Sequence, residues 1–313
     1  MEGYLFHRPV LLDEAVGLLN VKSGGIYVDA TIGGGGHAYE ILKNTAPDGV
    51  LVGIDRDKDA LDESGRRLNE FSGRLYLSQS SFSEIKSVLM KFHIEEVDGI
   101  LADLGVSSHQ LNTAARGFSF SVDAPLDMRM DDRDVLTAQD IVNTYPEDEL
   151  RHILRNLGEE VQAGKISRAI VARRKESPIC STSELAALVA EVVSSRRGHR
   201  KIHPATKTFQ ALRIAVNEEL KHLEKALADS MDVLKKGGRI CIISFHSLED
   251  RIVKNFFRDA ETGCTCPKNF PVCTCHKVKK LQVVTRHAVK AGEAEKAGNP
   301  RARSARLRAA EKV

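Results

Sequence analysis

Three aspartates, each ending a short apolar run, are the residues best placed to do chemistry in this chain of 313 residues. Asp29 closes Ile26-Tyr27-Val28, Asp55 closes Val50-Leu51-Val52-Gly53-Ile54, and Asp103 closes Ile100-Leu101-Ala102. After Asp29 come Ala30, Thr31 and Ile32, then the glycine run Gly33-Gly34-Gly35-Gly36 ahead of His37. Glycine has no Cβ, so a ligand can approach such a backbone closely and positive φ costs little. A strand, an acid and a glycine turn opening onto a helix is how an α/β sheet holds a nucleotide-like ligand at its carboxyl edge. Asp55 stands about 20 residues beyond the turn, where an acid hydrogen-bonds the hydroxyls of a ribose.

The glycines alone do not choose the ligand, because Gly33, Gly35 and Ala38 also satisfy a loose dinucleotide pattern. Asp29 favours S-adenosylmethionine, since a carboxylate there sits well against the ammonium of a methionine moiety, whereas a dinucleotide site is normally apolar at that point. A nicotinamide-dependent oxidoreductase is the second reading, weakened by Asp29 and by the lack of a recognisable hydride-transfer acid. A third is a non-catalytic RNA-binding or assembly factor on the same sheet. Phe82 follows a further apolar run, where an aromatic face can stack on adenine or simply fill the core.

These residues need a frame. Strand signals at 25–31, 50–55, 74–78 and 97–103 alternate with helical ones at 12–19, 37–44, 59–71 and 85–92, which predicts a parallel, doubly wound sheet. After Asp103 the alternation stops, and the next clear strand is Gly238–Ser244. Residues 109–208 carry helical periodicity and form an expected helical insertion, leaving 1–108 and 209–313 as one discontinuous domain. Thr208 to Leu234 reads as a single long helix returning to the sheet. Ser107, Ser108 and His246 fall just after strand ends and are candidates to line a pocket for the acceptor. His246 titrates in a suitable range for a general base, though Ser-Phe-His-Ser also suits a structural turn.

Basic residues gather in the insertion: Arg168, Arg173, Arg174 and Lys175, then Arg196, Arg197, Arg200, Lys201 and Lys207. That density suits contact with a phosphate backbone, or a solvated helix face. Net charge is only +3, yet residues 299–308 form a strongly basic stretch that reads as a polyanion-binding tail or a solvated end. No secretory signal opens the chain and no apolar run reaches membrane-span length, so a cytoplasmic protein is expected. Its cysteines are then thiols or metal ligands rather than disulfides. Cys264, Cys266, Cys273 and Cys275 form two Cys-x-Cys pairs that could close a zinc site with His276 in reserve, or a thiol-bearing loop without metal. Cys180 and Cys241 read as buried structural thiols.

Taken together, these segments resemble the bacterial small-subunit ribosomal RNA cytosine-N4-methyltransferases, the MraW or RsmH type. The likeness is carried by Pro9-Val10-Leu11-Leu12, the glycine turn to His37, Gly53-Ile54-Asp55 and the run from Asp98 to Ser108. It continues through Arg116-Gly117-Phe118-Ser119-Phe120, Pro125-Leu126-Asp127-Met128-Arg129-Met130, His203 to Gln210, Ser244 to Lys254 and Asn299 to Ser304. The resemblance implies a class I (Rossmann-like) methyltransferase sheet with an inserted all-helical domain that recognises RNA. It implies S-adenosylmethionine-dependent N4-methylation of a cytidine in the decoding region, with small-subunit ribosomal RNA or the small subunit as partner and no membrane. Whether the chain pairs with a second copy is left open. Cofactor contacts carry over onto Gly35, Gly36, His37, Asp55, Phe82, Asp103 and Gln110; only Gln110 has no independent motive. Many amino-methyltransferases follow the strand-four acid with two prolines and an aromatic. Here Asp103-Leu104-Gly105-Val106 keeps the acid alone.

Overall fold

The computed structural model describes residues 9–194, 203–266 and 274–313. The chain divides into two units, one of residues 1–105 and 220–313 and one of residues 106–219.

The first unit is an α/β sheet. Along the chain run α1 (Leu12–Leu19), β1 (Ile26–Asp29), α2 (Gly36–Asn44), β2 (Val50–Asp55), α3 (Lys58–Arg67), β3 (Leu75–Gln79), α4 (Ile85–Lys91) and β4 (Val97–Asp103). The second unit then contributes α5 (Ser108–Asn112), α6 (Ala138–Thr144), α7 (Glu147–Asn156), α8 (Ala163–Glu176), α9 (Thr182–Ser194) and α10 (Thr206–Asn217). The chain returns to the sheet through α11 (Glu219–Val233), β5 (Leu234–Ser244), α12 (Ser247–Glu261), β6 (Leu281–Val283), α13 (Glu293–Gly298) and β7 (Arg306–Lys312).

Strand order is β3-β2-β1-β4-β5-β7-β6. The first five strands are parallel, while β7 runs antiparallel to both β5 and β6, so the sheet is mixed and not wholly parallel as expected. Side chains alternate between its faces. Val28, Val52, Ile100 and Ile240 join a core with α4, α11 and α12 on one face. On the other, Tyr27, Leu51, Leu101 and Cys241 join a core with α1 and α2. Parallel strands covered on both faces read as continuous apolar runs, which is why these were legible.

The end of the basic stretch 299–308 lies in β7 and is not a free tail. Leu307 and Ala309 are buried, and Arg306 and Arg308 beside them are anchored. Asp250, on α12, accepts from Arg306 Nη1 at 2.9 Å and from Arg308 Nε at 2.6 Å. Alternation of cation and apolar residue is the strand period itself, spent on an internal ion pair.

The helical unit has its own core, in which Ile141, Leu154, Ile166, Leu185 and Leu212 are fully buried. The expected single helix from 208 to 234 is two. Glu218 takes a left-handed conformation at φ 47°, ending α10 before α11 starts. Phe209, Leu212 and Val216 of α10 are buried in the helical unit's core, so its second boundary falls at 219/220 and not at 208/209. Asn217 ties α10 to a strap of loop: its Nδ2 donates to the Met128 carbonyl at 2.8 Å, and its Oδ1 accepts from Met130 N at 2.7 Å. Arg116 donates to the Arg129 and Met130 carbonyls, and Asp127 pairs with Arg129 at 2.7 Å. Cys180 is exposed, against the expectation of a buried thiol, because it lies in the turn between Ser177 and Thr182; Cys241 is buried in β5 as expected.

Asp250→Ala leaves the Arg308 guanidinium, whose side chain is 12% exposed, without its acid. Stability should fall by about 2–4 kcal/mol, as when one partner of a buried pair is removed. A lower urea midpoint at unchanged m-value is the expected readout; an unshifted midpoint would contradict it.

Candidate active site

β1, β2 and β4 end on Asp29, Asp55 and Asp103. Each acid lies an even number of residues beyond Tyr27, Leu51 or Leu101, so the pleat puts all three on the face covered by α1 and α2. From β1 the chain order runs one way to β2 and the other way to β4, and ligands bind at the carboxyl ends of strands flanking such a switch.

The turn after β1 is tied to the other two strand ends. Thr31 Oγ1 accepts from Asp103 N at 2.6 Å, and Ile32 N donates to the Ile54 carbonyl at 2.9 Å. Asp55 receives Gly33 N on Oδ2 and Asp57 N on Oδ1, both at 2.9 Å. Two of the glycines are explained by packing: a Cβ on Gly36 would lie 2.2 Å from Pro9 Cγ, and one on Gly35, at φ +74°, would press on Leu68 at 3.1 Å. Gly33 differs, with φ +50° and nothing nearer its absent Cβ than the Thr31 carbonyl at 3.8 Å, so it is the glycine a ligand could approach.

The His37 ring faces inward. Its Nε2 lies 3.1 Å from the Val10 carbonyl, which can only accept, so Nε2 carries the proton. Burial pushes its pKa down to about 4, leaving the ring neutral.

The acids are strained electrostatically. Burial raises the Asp29 carboxyl to about 7, with the Asp55 charge adding to it against a hydrogen bond from Thr31 N. Asp55 is raised to about 6, again by burial first, opposed by its bonds from Asp57 and Gly33. Asp103 lies well above the usual carboxylate range through burial, then the charges of Asp29 and Glu249. Asp103 Oδ1 is sealed from solvent and has no hydrogen-bond partner among the described residues. A buried acceptor left unmet costs free energy, and crowded carboxylates compound it. The arrangement calls for a cation.

Glu249 and Thr31 escaped the sequence reading. Glu249 is 2% exposed and accepts from Phe245 N at 2.8 Å and His246 N at 3.3 Å. His246 caps α12, its Nδ1 accepting from Glu249 N at 3.5 Å. Its Nε2 is 3.1 Å from Glu249 Oε1 yet is not aligned as a hydrogen bond, so the closeness makes an ion pair only when the ring is protonated. The signal was present: His-x-x-Glu ahead of a helix is a variant of the capping box. Thr31 could have been found as the hydroxyl between Asp29 and Gly33.

Phe82 opens a short 3₁₀ turn capped by Ser81, half-buried and edge-on to His222 at 6.4 Å between ring centroids. Ala30, Ala102, Leu223 and Ile242 share the small apolar void it borders. Gln110, Ser107 and Ser108 belong to the helical unit. Ser107 Oγ accepts from Gln110 N at 3.1 Å while Gln110 Oε1 accepts from Ser107 N at 3.0 Å, a reciprocal cap for α5, and Ser108 is that helix's first residue. Among the basic residues, Arg174 donates to the Val142 carbonyl, Arg173 lies 3.8 Å from Glu184, and Lys207 donates to the Glu159 carbonyl. Each therefore has a structural partner. Arg196, Arg197, Arg200, Lys201 and Cys273 lie outside the described residues.

A sequence profile described as the MraW methylase family matches residues 4–313. The chain belongs to the MraW methylase family. Its sheet, with β7 inserted antiparallel between β5 and β6, is the class I methyltransferase sheet, and the chain is an S-adenosylmethionine-dependent methyltransferase. The methylase is 54% identical over 310 residues to a protein of Syntrophus aciditrophicus (strain SB) named ribosomal RNA small subunit methyltransferase H, covering 99% of this chain and 98% of that one. Proteins of the same name from Geobacter sp. (strain M21) and Carboxydothermus hydrogenoformans are 51% and 52% identical, each covering 98% of both chains. Among solved structures, Aeropyrum pernix fibrillarin with natively bound S-adenosyl-L-methionine overlays 95% of this chain and 73% of its own at a TM-score of 0.40 and 10% identity, too remote to bear on the site.

The methylase's residues fit its methyl donor. Asp103 Oδ1, with no partner among the described residues, and buried Asp29 would meet a cationic methionine end, Asp55 would have lone pairs left for ribose hydroxyls, and Gly33 leaves room for close approach. In the ligand-free protein these acids hold protons above their ordinary range, and a cation expels them. Affinity for S-adenosylmethionine should therefore strengthen as pH rises through about 6 to about 7, with protons released on binding. The ligand-free fold, whose acids are raised above their unfolded values, should lose stability over the same rise. Calorimetric titration in buffers of differing ionisation enthalpy measures the release; proton uptake would contradict it.

Proposed function

We propose that this methylase transfers the methyl group of S-adenosylmethionine to the exocyclic N4 of a cytidine in the decoding region of small-subunit ribosomal RNA. The observation that carries the reading is the cluster of raised strand-end acids with one carboxylate oxygen unmet. The RNA class rests on relatives of about half identity over essentially the whole chain, all named for the small-subunit ribosomal RNA. The N4 position and the decoding region rest on the family resemblance. Among the described residues no helix is long and apolar enough to cross a membrane.

The bound donor would supply a sulfonium methyl, whose carbon the amine nitrogen attacks in line as the C–S bond breaks and the neutral thioether leaves. Catalysis of such a step is mostly positioning in a dry site. Asp29 and Asp103 hold the cationic end of the donor, Asp55 fixes its ribose, and Gly35 and Gly36 keep the turn closed through their contacts with Leu68 and Pro9. Phe82 offers its ring edge or face to the base of the donor. The acceptor amine is a weak nucleophile because its lone pair is delocalised into the ring. An acceptor for its N–H bonds favours the pyramidal form, and the spare lone pairs of Asp103 suit that role. His246 stands at the end of β5, which pairs with β4 through Asp103 and Ile243. With Nδ1 accepting from Glu249 N, the neutral ring carries its proton on Nε2, so His246 positions the start of α12 and the proton released from nitrogen passes to solvent. A base in folded RNA must leave its stack to be reached.

Asp55→Ala should weaken S-adenosylmethionine binding by at least about tenfold, the worth of one or two strong hydrogen bonds; an unchanged Kd would remove Asp55 from the site. Incubation with labelled S-adenosylmethionine should transfer label to small subunits lacking the modification, and nuclease digestion should yield N4-methylcytidine. Label on another nucleoside would defeat the proposed acceptor, and none on RNA would defeat the RNA reading.

A further inference from the structure

The loop between α12 and β6 gathers three thiols that the methyl-transfer site does not use. Cys264, Cys266 and Cys275 place their sulfurs all within 4.8 Å of one another, and the sulfurs of Cys264 and Cys275 are 3.7 Å apart. A disulfide would need about 2.05 Å between sulfurs. A zinc–sulfur bond of about 2.3 Å at tetrahedral angles puts ligand sulfurs about 3.8 Å apart. The observed separation excludes a disulfide and, although a thiol–thiol hydrogen bond also spans it, matches that of two thiolates sharing a metal.

Backbone amides are turned towards these sulfurs. Thr265 N donates to Cys275 Sγ at 3.3 Å, Cys266 N to Cys264 Sγ at 3.4 Å, and Thr274 N to Cys266 Sγ at 3.4 Å. Hydrogen bonds to sulfur favour the charged thiolate, the form that binds metal. Such outer contacts orient metal ligands and tune them. The stems of the loop are held independently: Lys280 N donates to the Ala260 carbonyl at 2.8 Å, and Lys277 pairs with Asp259 at 2.6 Å.

We infer that Cys264, Cys266 and Cys275 form a binding site for a thiophilic divalent cation, zinc, that fixes the loop between α12 and β6. The three thiols release their protons as their sulfurs bind the ion, and water or a further donor completes the tetrahedron. The site is structural. It lies beyond α12 in the chain, and nothing in the methyl-transfer chemistry calls on it.

The test uses the full chain purified under reducing conditions without chelator. Elemental analysis should find one zinc per chain. Cobalt added to the metal-stripped protein should give thiolate-to-cobalt charge-transfer absorption, which zinc then displaces. Cys264→Ser and Cys275→Ser should each abolish that absorption, while Cys180→Ser, at an exposed thiol outside the loop, should keep it. Soluble, reduced wild-type protein showing neither zinc nor the cobalt band would overturn the site without recourse to any variant. So would a non-reducing intact mass showing Cys264 and Cys275 joined as a disulfide in the resting protein.

Discussion

Carboxylates buried together at the ends of adjacent parallel strands are the constraint on which this structure turns. The strands must be apolar on both faces to lie inside a covered sheet, and that same covering removes water from whatever terminates them. Asp29, Asp55 and Asp103 share one face because the pleat repeats every two residues, and Glu249 comes to Asp103 from the start of α12. A protein gains nothing in stability from such an arrangement. It leaves the ligand-free site electrostatically incomplete, and under the function proposed here a cation's binding energy is spent where the reaction occurs.

Much of what makes the chain recognisable elsewhere is scaffolding. Asn217 satisfies both the carbonyl of Met128 and the amide of Met130, with Met128 held in a left-handed conformation at φ 64°. Arg116 bonds two carbonyls of the same strap, and Phe120 stacks on His203 at 4.7 Å. Within residues 116–130 the unusual side chains thus have packing work, satisfying irregular backbone whose polar groups need partners. The residues of the sheet edge that do chemistry are far fewer.

The strand ends were legible because a covered parallel strand is apolar along its length, so an acid marks the place where it stops. The glycine turn was legible as a turn, but the division of labour within it was not. That Gly36 answers to Pro9 and Gly35 to Leu68 depends on contacts that sequence spacing cannot show. Residues 208–234 carry unbroken helical periodicity, and the break at Glu218 is set by which core each half joins. The cations of β7 looked like a solvated run because Asp250, which pairs with them, lies more than fifty residues earlier. Local pattern fixes the elements here; long-range pairing decides what their charges are for.

The order of β7 and β6 has a consequence for how the sheet is completed during folding. β6 precedes β7 in the chain, yet β7 is the strand it pairs with, and β7 in turn is the bridge to β5. The three residues of β6 therefore have no ladder to join until β7 has docked, whatever else has already formed. Amide exchange should therefore see β6 open whenever β7 leaves the sheet.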